Sequence, residues 1–418
     1  MPPTRDLLVV AFHYPPDNSS TGVLRTLKFT RYLLDHGWRS HVLTVTPDHY
    51  RNLDPELEAE IPTEVSVTRV PFRDVKQRFA VRGRYPGIIA QPDPFWPWRA
   101  PALRAAEKIL ATHPIRAVFS TYPVPTAHFI GRTVARRSAL PWVADFRDPW
   151  AGGEVGWQGR LDRFFEARVV HAARRVIANT DIARRDFLRR YPRLPPERFV
   201  TLPNGYDEED FAALRPQVAE PRRFTLAYAG SVDAYNRDPR PVLRAVGRLL
   251  RAGRLPREGV RLSFLGAGPA VREPWFTGVL EKEGLTGLVE IVEERIPYHQ
   301  ALARLAGSDL LLVLNQPQAG EADFWRFMVP AKIYEFLRLG RPLLVLVGEG
   351  AIPELFRDLG VAGACAPQDE QAIDEHILAA YRAYLQGTNA ARPPPGLRRF
   401  ERRELTARLA ALLDELSG

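Results

Sequence analysis

Five loops of this 418-residue chain carry side chains that chemistry could use. In "FWRFMVPAKIYEFLRLGRPLL", Pro330 opens a helix that bears Lys332 and Glu335 and closes at Gly340. Free N–H groups at a helix start attract phosphate. A carboxylate further along can accept two hydrogen bonds from a ribose diol. The plain alternative is a surface Lys–Glu pair at i, i+3, worth roughly a few tenths of a kcal/mol. In "AYAGSVDAYNRDPRP", Gly230 and Ser231 stand where a diphosphate would approach backbone. Arg237 and Arg240 offer forked donors to its oxygens, unless the loop is merely basic and solvated. Gly266, in "FLGAGP", marks a further Gly-rich turn of a common kind. "PWVADFRDPW" ends a strand at Asp145, with Arg147, Asp148 and Trp150 directly behind. Those charges of both signs either pair with one another as scaffolding or line a site for a hydroxyl-rich substrate. In "FHYPPDNSSTGVLR", Ser20, Thr21 and Gly22 precede a helix with Arg25 one turn in. That start either holds an anion or a sugar hydroxyl, or is an ordinary N-cap. It is not the GxGxxG fingerprint, which disfavours NAD.

These loops need strands and helices to hold them. Leu7–Phe12 reads as a strand, Val23, Leu27, Thr30 and Leu34 share one helical face, Gly37 stops the helix, and His41–Thr46 is the next strand. That βαβ unit implies a parallel sheet with a right-handed crossover. Further strands are expected at Ala117–Ser120, Trp142–Asp145, Val176–Ala178 and Phe199–Leu202, with an irregular Pro- and aromatic-rich excursion between 70 and 100. After a linker at 206–222 the alternation restarts, with strands at Phe224–Ala229, Val260–Leu265, Val289–Val292, Leu310–Asn315 and Leu343–Val347. Asp238 and Pro239 signal a helix start between the first two of these. The expected architecture is α/β, with two Rossmann-like doubly wound domains at 1–205 and 223–390, facing across a cleft, and a C-terminal helix at 396–418. Chemistry belongs at the C-terminal ends of the strands, where all five loops lie.

Composition narrows the class. An apolar fraction of 45% is ordinary for a folded protein, and no apolar run reaches the roughly 18–20 residues of a membrane span. The N-terminus runs straight into a strand without the apolar length of a secretion signal. One cysteine, Cys365, excludes an internal disulfide framework and fits a reducing cytoplasm, and nine scattered histidines show no structural zinc site. The net charge of +9 is spread along the chain, mostly as arginine, with no nucleic-acid-binding motif. It points to an anionic substrate or membrane surface. "RLDRFFEARVVHAARR", Arg160–Arg175, mixes aromatic and basic residues as a helix resting on anionic lipid would, or as an ordinary helix with a basic solvated face.

Taken in order, these segments resemble glycosyltransferase family 4 and its relatives of the GT-B fold, over nearly the whole chain. "FHYPP…STG..R" resembles the acceptor-side loop, and "WVADFRDPW" a segment common in a subgroup of these enzymes. "LPNGYD…F" resembles the interdomain stretch, "YAGS…RDP" the diphosphate loop, and "VPAKIYEFLRLGRPLL" the donor-binding helix. The last helix resembles the one that crosses back to the N-terminal domain. Single motifs of this kind have low specificity; five in the right order are strong.

The resemblance implies transfer of a sugar from a UDP-, GDP- or ADP-sugar, with retention and without a bound metal or cofactor. The acceptor would be a glycan, a lipid-linked molecule or a small molecule, in cell-surface polysaccharide or glycoconjugate synthesis. It implies Glu335 on the donor ribose and Arg237 on the diphosphate, with Gly230, Ser231, Gly266, Pro330 and Lys332 around them. Asp145, Arg147, Asp148 and Glu321 are the candidate catalytic groups, and Ser20, Thr21, Gly22 and Arg25 the acceptor-side loop. One departure stands out. The family's motif places a first glutamate eight positions before the second, and here that position is Phe327, with Glu321 and Asp323 nearby. A cytoplasmic enzyme is expected, peripheral on the inner face of the membrane, with no nucleic-acid partner. The rivals are a nucleotide-sugar epimerase of the same fold, a catalytically silent nucleotide-binding paralogue and, on charge alone and against the lack of aromatic-basic motifs, a nucleic-acid-binding protein.

Overall fold

A computed structural model describes residues 5–19, 22–82, 84–148, 150–151, 156–315 and 325–418. They form two compact units. The first comprises Met1–Gly205, Phe327–Ala331 and Phe400–Gly418, and the second Tyr206–Arg326 and Lys332–Arg399.

The first unit runs β1 (Arg5–Ala11), α1 (Gly22–Tyr32), β2 (Trp38–Val45), α2 (Pro55–Ala59), β3 (Ser66–Val70), α3 (Val75–Phe79) and α4 (Arg99–Thr112). It continues with β4 (Ile115–Thr121), α5 (Pro125–Ser138), β5 (Trp142–Phe146), α6 (Gly156–Val170), β6 (Arg175–Ala178), α7 (Asp181–Arg190) and β7 (Phe199–Thr201). All seven strands are parallel in the order β3-β2-β1-β4-β5-β6-β7. The reversal of order falls between β1 and β4, which puts the loops after those strands at the switch point. Strand residues alternate between two cores: Leu8, Val10 and Leu43 on one face, Leu7, Val9 and Val42 on the other. Burial on both faces is why these strands read as unbroken apolar runs.

The second unit runs α8 (Glu209–Ala212), β8 (Phe224–Ala229), α9 (Arg240–Arg251), β9 (Val260–Leu265), α10 (Pro274–Lys282), β10 (Val289–Val292) and α11 (Tyr298–Ala306). There follow β11 (Leu310–Asn315), α12 (Ala331–Leu339), β12 (Leu343–Val347), α13 (Ala351–Asp358), β13 (Ala364–Cys365) and α14 (Glu370–Leu385). The parallel order is β10-β9-β8-β11-β12-β13, with its reversal between β8 and β11.

The last helix, α15 (Arg402–Ser417), belongs to the first unit. Leu405, Leu409 and Leu413 sit in the core with Leu7, Val9 and Trp38, and Trp38 Nε1 donates to Asp414 at 2.7 Å. Burying three leucines stabilises by roughly 1.5–3 kcal/mol each.

Four local findings differ from the sequence reading. Two strands were not anticipated: β3, a polar-interleaved edge strand, and the two-residue β13. The 70–100 excursion contains α3, two 3₁₀ turns and the start of α4, pinned by Asp93. That carboxylate accepts from Thr126 N and Oγ1, both at 2.7 Å, and from Phe95 N at 2.8 Å. The expected linker at 206–222 contains the short helix α8, and Gln217 N donates to Ala303 O at 2.8 Å, while most of the stretch beyond Phe211 is exposed. Finally, α12 begins at Ala331, one residue past Pro330.

Candidate functional site

In the first unit the loops after β1 and β5 meet in a buried polar network. Arg25, on α1, is 1% exposed and grips Asp145 with two hydrogen bonds, Nη2 to Oδ1 at 2.9 Å and Nε to Oδ2 at 3.2 Å. Its remaining donors reach Pro203 O at 2.6 Å and Leu202 O at 2.9 Å. Thr121 Oγ1 donates to the same carboxylate at 2.9 Å. Both charges are therefore fully paired, and together they tie α1, β4, β5 and the end of the sheet. Asp145 thus serves as scaffold, but through Arg25, 120 positions away, and not through the neighbouring charges of its own loop. Arg147 is also buried and donates to Gly22 O at 2.8 Å. A Cβ on Gly22 would lie 1.6 Å from its Nη2, so the glycine makes room for the guanidinium. Burial lowers the Arg147 pKa, opposed by Asp148 and Asp145; burial raises that of Asp148, opposed by Arg147. Ser20, Thr21 and Glu321 lie outside the described residues.

Two groups here gave no signal in the sequence. Asp17, fully buried, takes His13 Nδ1 at 2.6 Å and Ser19 N at 2.9 Å. Burial alone would raise its pKa, but those hydrogen bonds outweigh it and hold the carboxylate ionised. His128, fully buried beside Ser120 Oγ at 2.8 Å, is pushed by burial to a pKa of about 3 and so is neutral.

In the second unit the loops after β8 and β9 and the start of α12 come together. Gly230 follows β8 with φ +132°, and its N–H donates to Leu265 O at 2.8 Å. Lys332 Nζ lies against it, 3.2 Å from where a Cβ would be, and donates to Ala229 O at 3.3 Å. Ser231 Oγ accepts from Arg237 Nη1 at 2.6 Å. Asp233 shapes that loop, accepting the backbone N–H groups of Tyr235, Asn236 and Arg237 and the Arg237 Nε at 3.0 Å. Arg237 remains 45% exposed at its side chain. Arg240 turns away, paired with Asp238 at 2.7 Å and stacked over Trp275. Gly266, at φ +66°, ends β9 in a left-handed turn.

Glu335 is 7% exposed, one turn along α12 from Lys332. Burial lowers the Lys332 pKa and Arg237 adds to this, while Glu335 opposes it. The Tyr298 hydroxyl, at the start of α11, hydrogen-bonds both Glu335 and Asp210, at 3.4 Å from Asp210 Oδ2. Neither Tyr298 nor Asp210 stands near Glu335 in sequence. Of the residues expected around the donor, Gly230, Ser231, Arg237, Lys332 and Glu335 thus share one neighbourhood. Pro330 belongs to a stretch of the first unit, where Thr180 Oγ1 donates to Phe327 O at 2.6 Å and Asn204 Nδ2 to Val329 O at 3.1 Å. The second-unit arrangement offers an anion two cations and a glycine-lined backbone, with a buried carboxylate one turn further.

Among the described residues one trio has metal-ligand spacing: Asp6, His41 and His113, with ligand atoms within 4.8 Å. Asp6 is already held by Arg39 through two hydrogen bonds, at 2.9 and 3.1 Å.

Residues 22–205 match the family model described as a glycosyl transferase 4-like domain. No curated protein matches the chain in sequence. Among solved structures, the chain is similar to sucrose-phosphate synthase from Thermosynechococcus elongatus, with a TM-score of 0.65, 13% identity and 99% of each chain covered. It is similar also to Anabaena HepE, solved in complex with UDP, with a TM-score of 0.67, 14% identity, and 99% of this chain and 100% of that one covered. A third similar structure is WaaG, a glycosyltransferase involved in lipopolysaccharide biosynthesis, with a TM-score of 0.59, 16% identity, and coverage of 97% and 99%.

Proposed function

We propose, from the premise that this chain is a GT-B glycosyltransferase resembling family 4, that it moves a sugar from a UDP-, GDP- or ADP-sugar to a glycan, lipid-linked or small-molecule acceptor. The observation that carries this is the cluster of Gly230, Lys332, Arg237 and Glu335 at the strand ends of the second unit. Lys332 and Arg237 neutralise charge that builds on the departing diphosphate, and Glu335 holds the ribose hydroxyls. Tyr298 and Asp210 orient that carboxylate. HepE, of the same fold, was solved with UDP, which supports a nucleotide donor. Retention, the lack of a metal requirement and a role in cell-surface glycoconjugate synthesis rest on the family resemblance.

The same reading places the protein in the cytoplasm, peripheral on the membrane. No helix among the described residues is long and apolar enough to cross a bilayer. On α6, Trp157 and Phe164 are 50% and 53% exposed, and Arg160 and Arg168 flank them at helical spacing. Aromatic rings between arginines suit an anionic lipid surface. Co-sedimentation with anionic vesicles is expected at low salt and lost at high salt or in Trp157→Ala/Phe164→Ala. Absence of binding at low salt sinks the membrane reading.

A thermal-shift panel of UDP, GDP, ADP, CMP and NAD tests the donor reading on wild type and Glu335→Ala. One nucleoside diphosphate at a hundredfold excess over its dissociation constant is expected to stabilise the wild type by about 2.7 kcal/mol, and the variant much less. Equal responses overturn the assignment of Glu335. An altered donor sugar on incubation without acceptor would show an epimerase instead.

A further inference from the structure

Helices α5 and α6 meet through Phe129 and Phe165, whose rings stand 5.7 Å apart and nearly perpendicular. One turn beyond each ring is an arginine, Arg132 on α5 and Arg168 on α6. Arg136 follows Arg132 on the same helical face, four residues on. Arg99, the first residue of α4, donates to Thr133 Oγ1 at 3.1 Å and brings a fourth guanidinium to this face. Beyond burial, the charges acting on Arg132 are those of Arg168, Arg136 and Arg99, all repulsive.

Among the described residues none of the four is in an ion pair, although their neighbours are. Arg137 pairs with Glu107 at 2.6 Å, and Arg190 pairs with both Glu166 and Asp186. The start of α4 adds to the same charge, with no acid in its first turn and no side-chain cap from Trp98. Four like charges held together by packing raise the free energy of the empty face, and a multivalent anion relieves it. Guanidinium forks match phosphate oxygens two at a time.

We propose that Arg99, Arg132, Arg136 and Arg168 form a binding site for a phosphate monoester or diphosphate, carried by a lipid headgroup or a phosphorylated saccharide. Phe164 packs 5.3 Å from the Arg168 guanidinium, so the site is continuous with the exposed aromatics of α6. Only the lipid as phosphate source rests on the membrane reading; the site itself does not.

The test titrates inorganic pyrophosphate by calorimetry into the full chain, as wild type, Arg132→Gln/Arg136→Gln and Arg237→Gln. Binding that weakens roughly tenfold or more in the double variant, yet survives Arg237→Gln, supports the site. Equal affinity of double variant and wild type overturns it, as does binding that disappears with Arg237→Gln. Unchanged melting temperatures confirm that these changes, at part-buried Arg132 and at exposed Arg136 and Arg237, leave the fold intact. A second arm uses phosphatidylcholine vesicles with and without phosphatidic acid, and free glucose 6-phosphate. Pelleting that needs phosphatidic acid and yields to pyrophosphate assigns a lipid; glucose 6-phosphate competition without pelleting assigns a saccharide; neither overturns the proposal. Trp157→Ala/Phe164→Ala separates the readings. If it pellets like wild type, the membrane role of α6 fails while the phosphate site stands.

Discussion

Each unit sets a glycine against a cation just beyond the first strand of its sheet, and the two pairs differ in how tightly they close. In the first, the Arg147 guanidinium lies where a Gly22 side chain would be and bonds the Gly22 carbonyl at 2.8 Å, beside the saturated Arg25–Asp145 pair. In the second, Lys332 rests against Gly230 with a single 3.3 Å bond to Ala229 O. Its neighbour Arg237 is nearly half exposed. Charges that look alike in sequence thus divide into a buried, fully paired group and a more open one, in which Arg237 is held only within its own loop by Asp233 and Ser231. The test of a scaffold is that its polar atoms are paired, and each guanidinium nitrogen of Arg25 has an acceptor.

The largest expected effect follows from that division. Arg25→Ala strands Asp145, 1% exposed, without its counter-charge and is expected to cost about 3–5 kcal/mol in urea unfolding. Lys332→Ala is expected to cost under about 1 kcal/mol while abolishing the response to nucleoside diphosphate. If the two cost the same, the second loop is as closed as the first and the contrast collapses.

A second comparison lies inside the first unit, between Asp145 with its arginine and Asp93 with none. Burial pushes Asp93 up to about 6 in spite of three donors. Because the folded pKa lies above the unfolded one, this carboxyl's contribution is fullest below about pH 4 and is lost as pH rises through about 6. The swing is at most about 3 kcal/mol. Melting curves against pH should therefore fall more steeply over that window for wild type than for Asp93→Asn. Parallel curves would show that the hydrogen bonds, not burial, control the group.

The smallest effects concern the glycines themselves. A Cβ at Gly22 would lie within 2.4 Å of all three terminal guanidinium atoms of the buried Arg147, so Gly22→Ala must push that group off its bond to Gly22 O, at about 1–3 kcal/mol. Gly230, at φ +132°, is strained by any side chain, so Gly230→Ala is expected to cost about 1–3 kcal/mol and to weaken donor binding as well. Measuring both melting temperature and nucleotide response separates the two sites. A Gly22→Ala protein that alone loses the nucleotide response reverses the assignment.

Much of this architecture was legible because buried parallel strands are apolar throughout. The five strands read in the second half, from Phe224–Ala229 to Leu343–Val347, occur with those bounds. β3 escaped because Ser66–Val70 is short and polar at three of its five positions, with neither an unbroken apolar run nor strict alternation to mark it. Gly37 showed itself as a helix stop and has φ 73°. The candidate site was legible as far as loops after strands are. What the sequence could not supply was partnership across distance: Arg25 with Asp145, Tyr298 with Glu335, or Asp93 with Thr126. The alternative readings of "PWVADFRDPW" were both chemically sound, and only the position of Arg25 decides what Asp145 does.

The placement of α15 has a consequence for how the protein is made. Leu405, Leu409 and Leu413 complete a core whose other members, such as Leu7 and Trp38, leave the ribosome nearly four hundred residues earlier. The first unit to be synthesised is therefore the last to be finished. Until the final helix emerges, an apolar face of the older unit waits uncovered, a long interval in which chaperones and proteases have first access. A premature stop near the C-terminus should accordingly harm the N-terminal unit most.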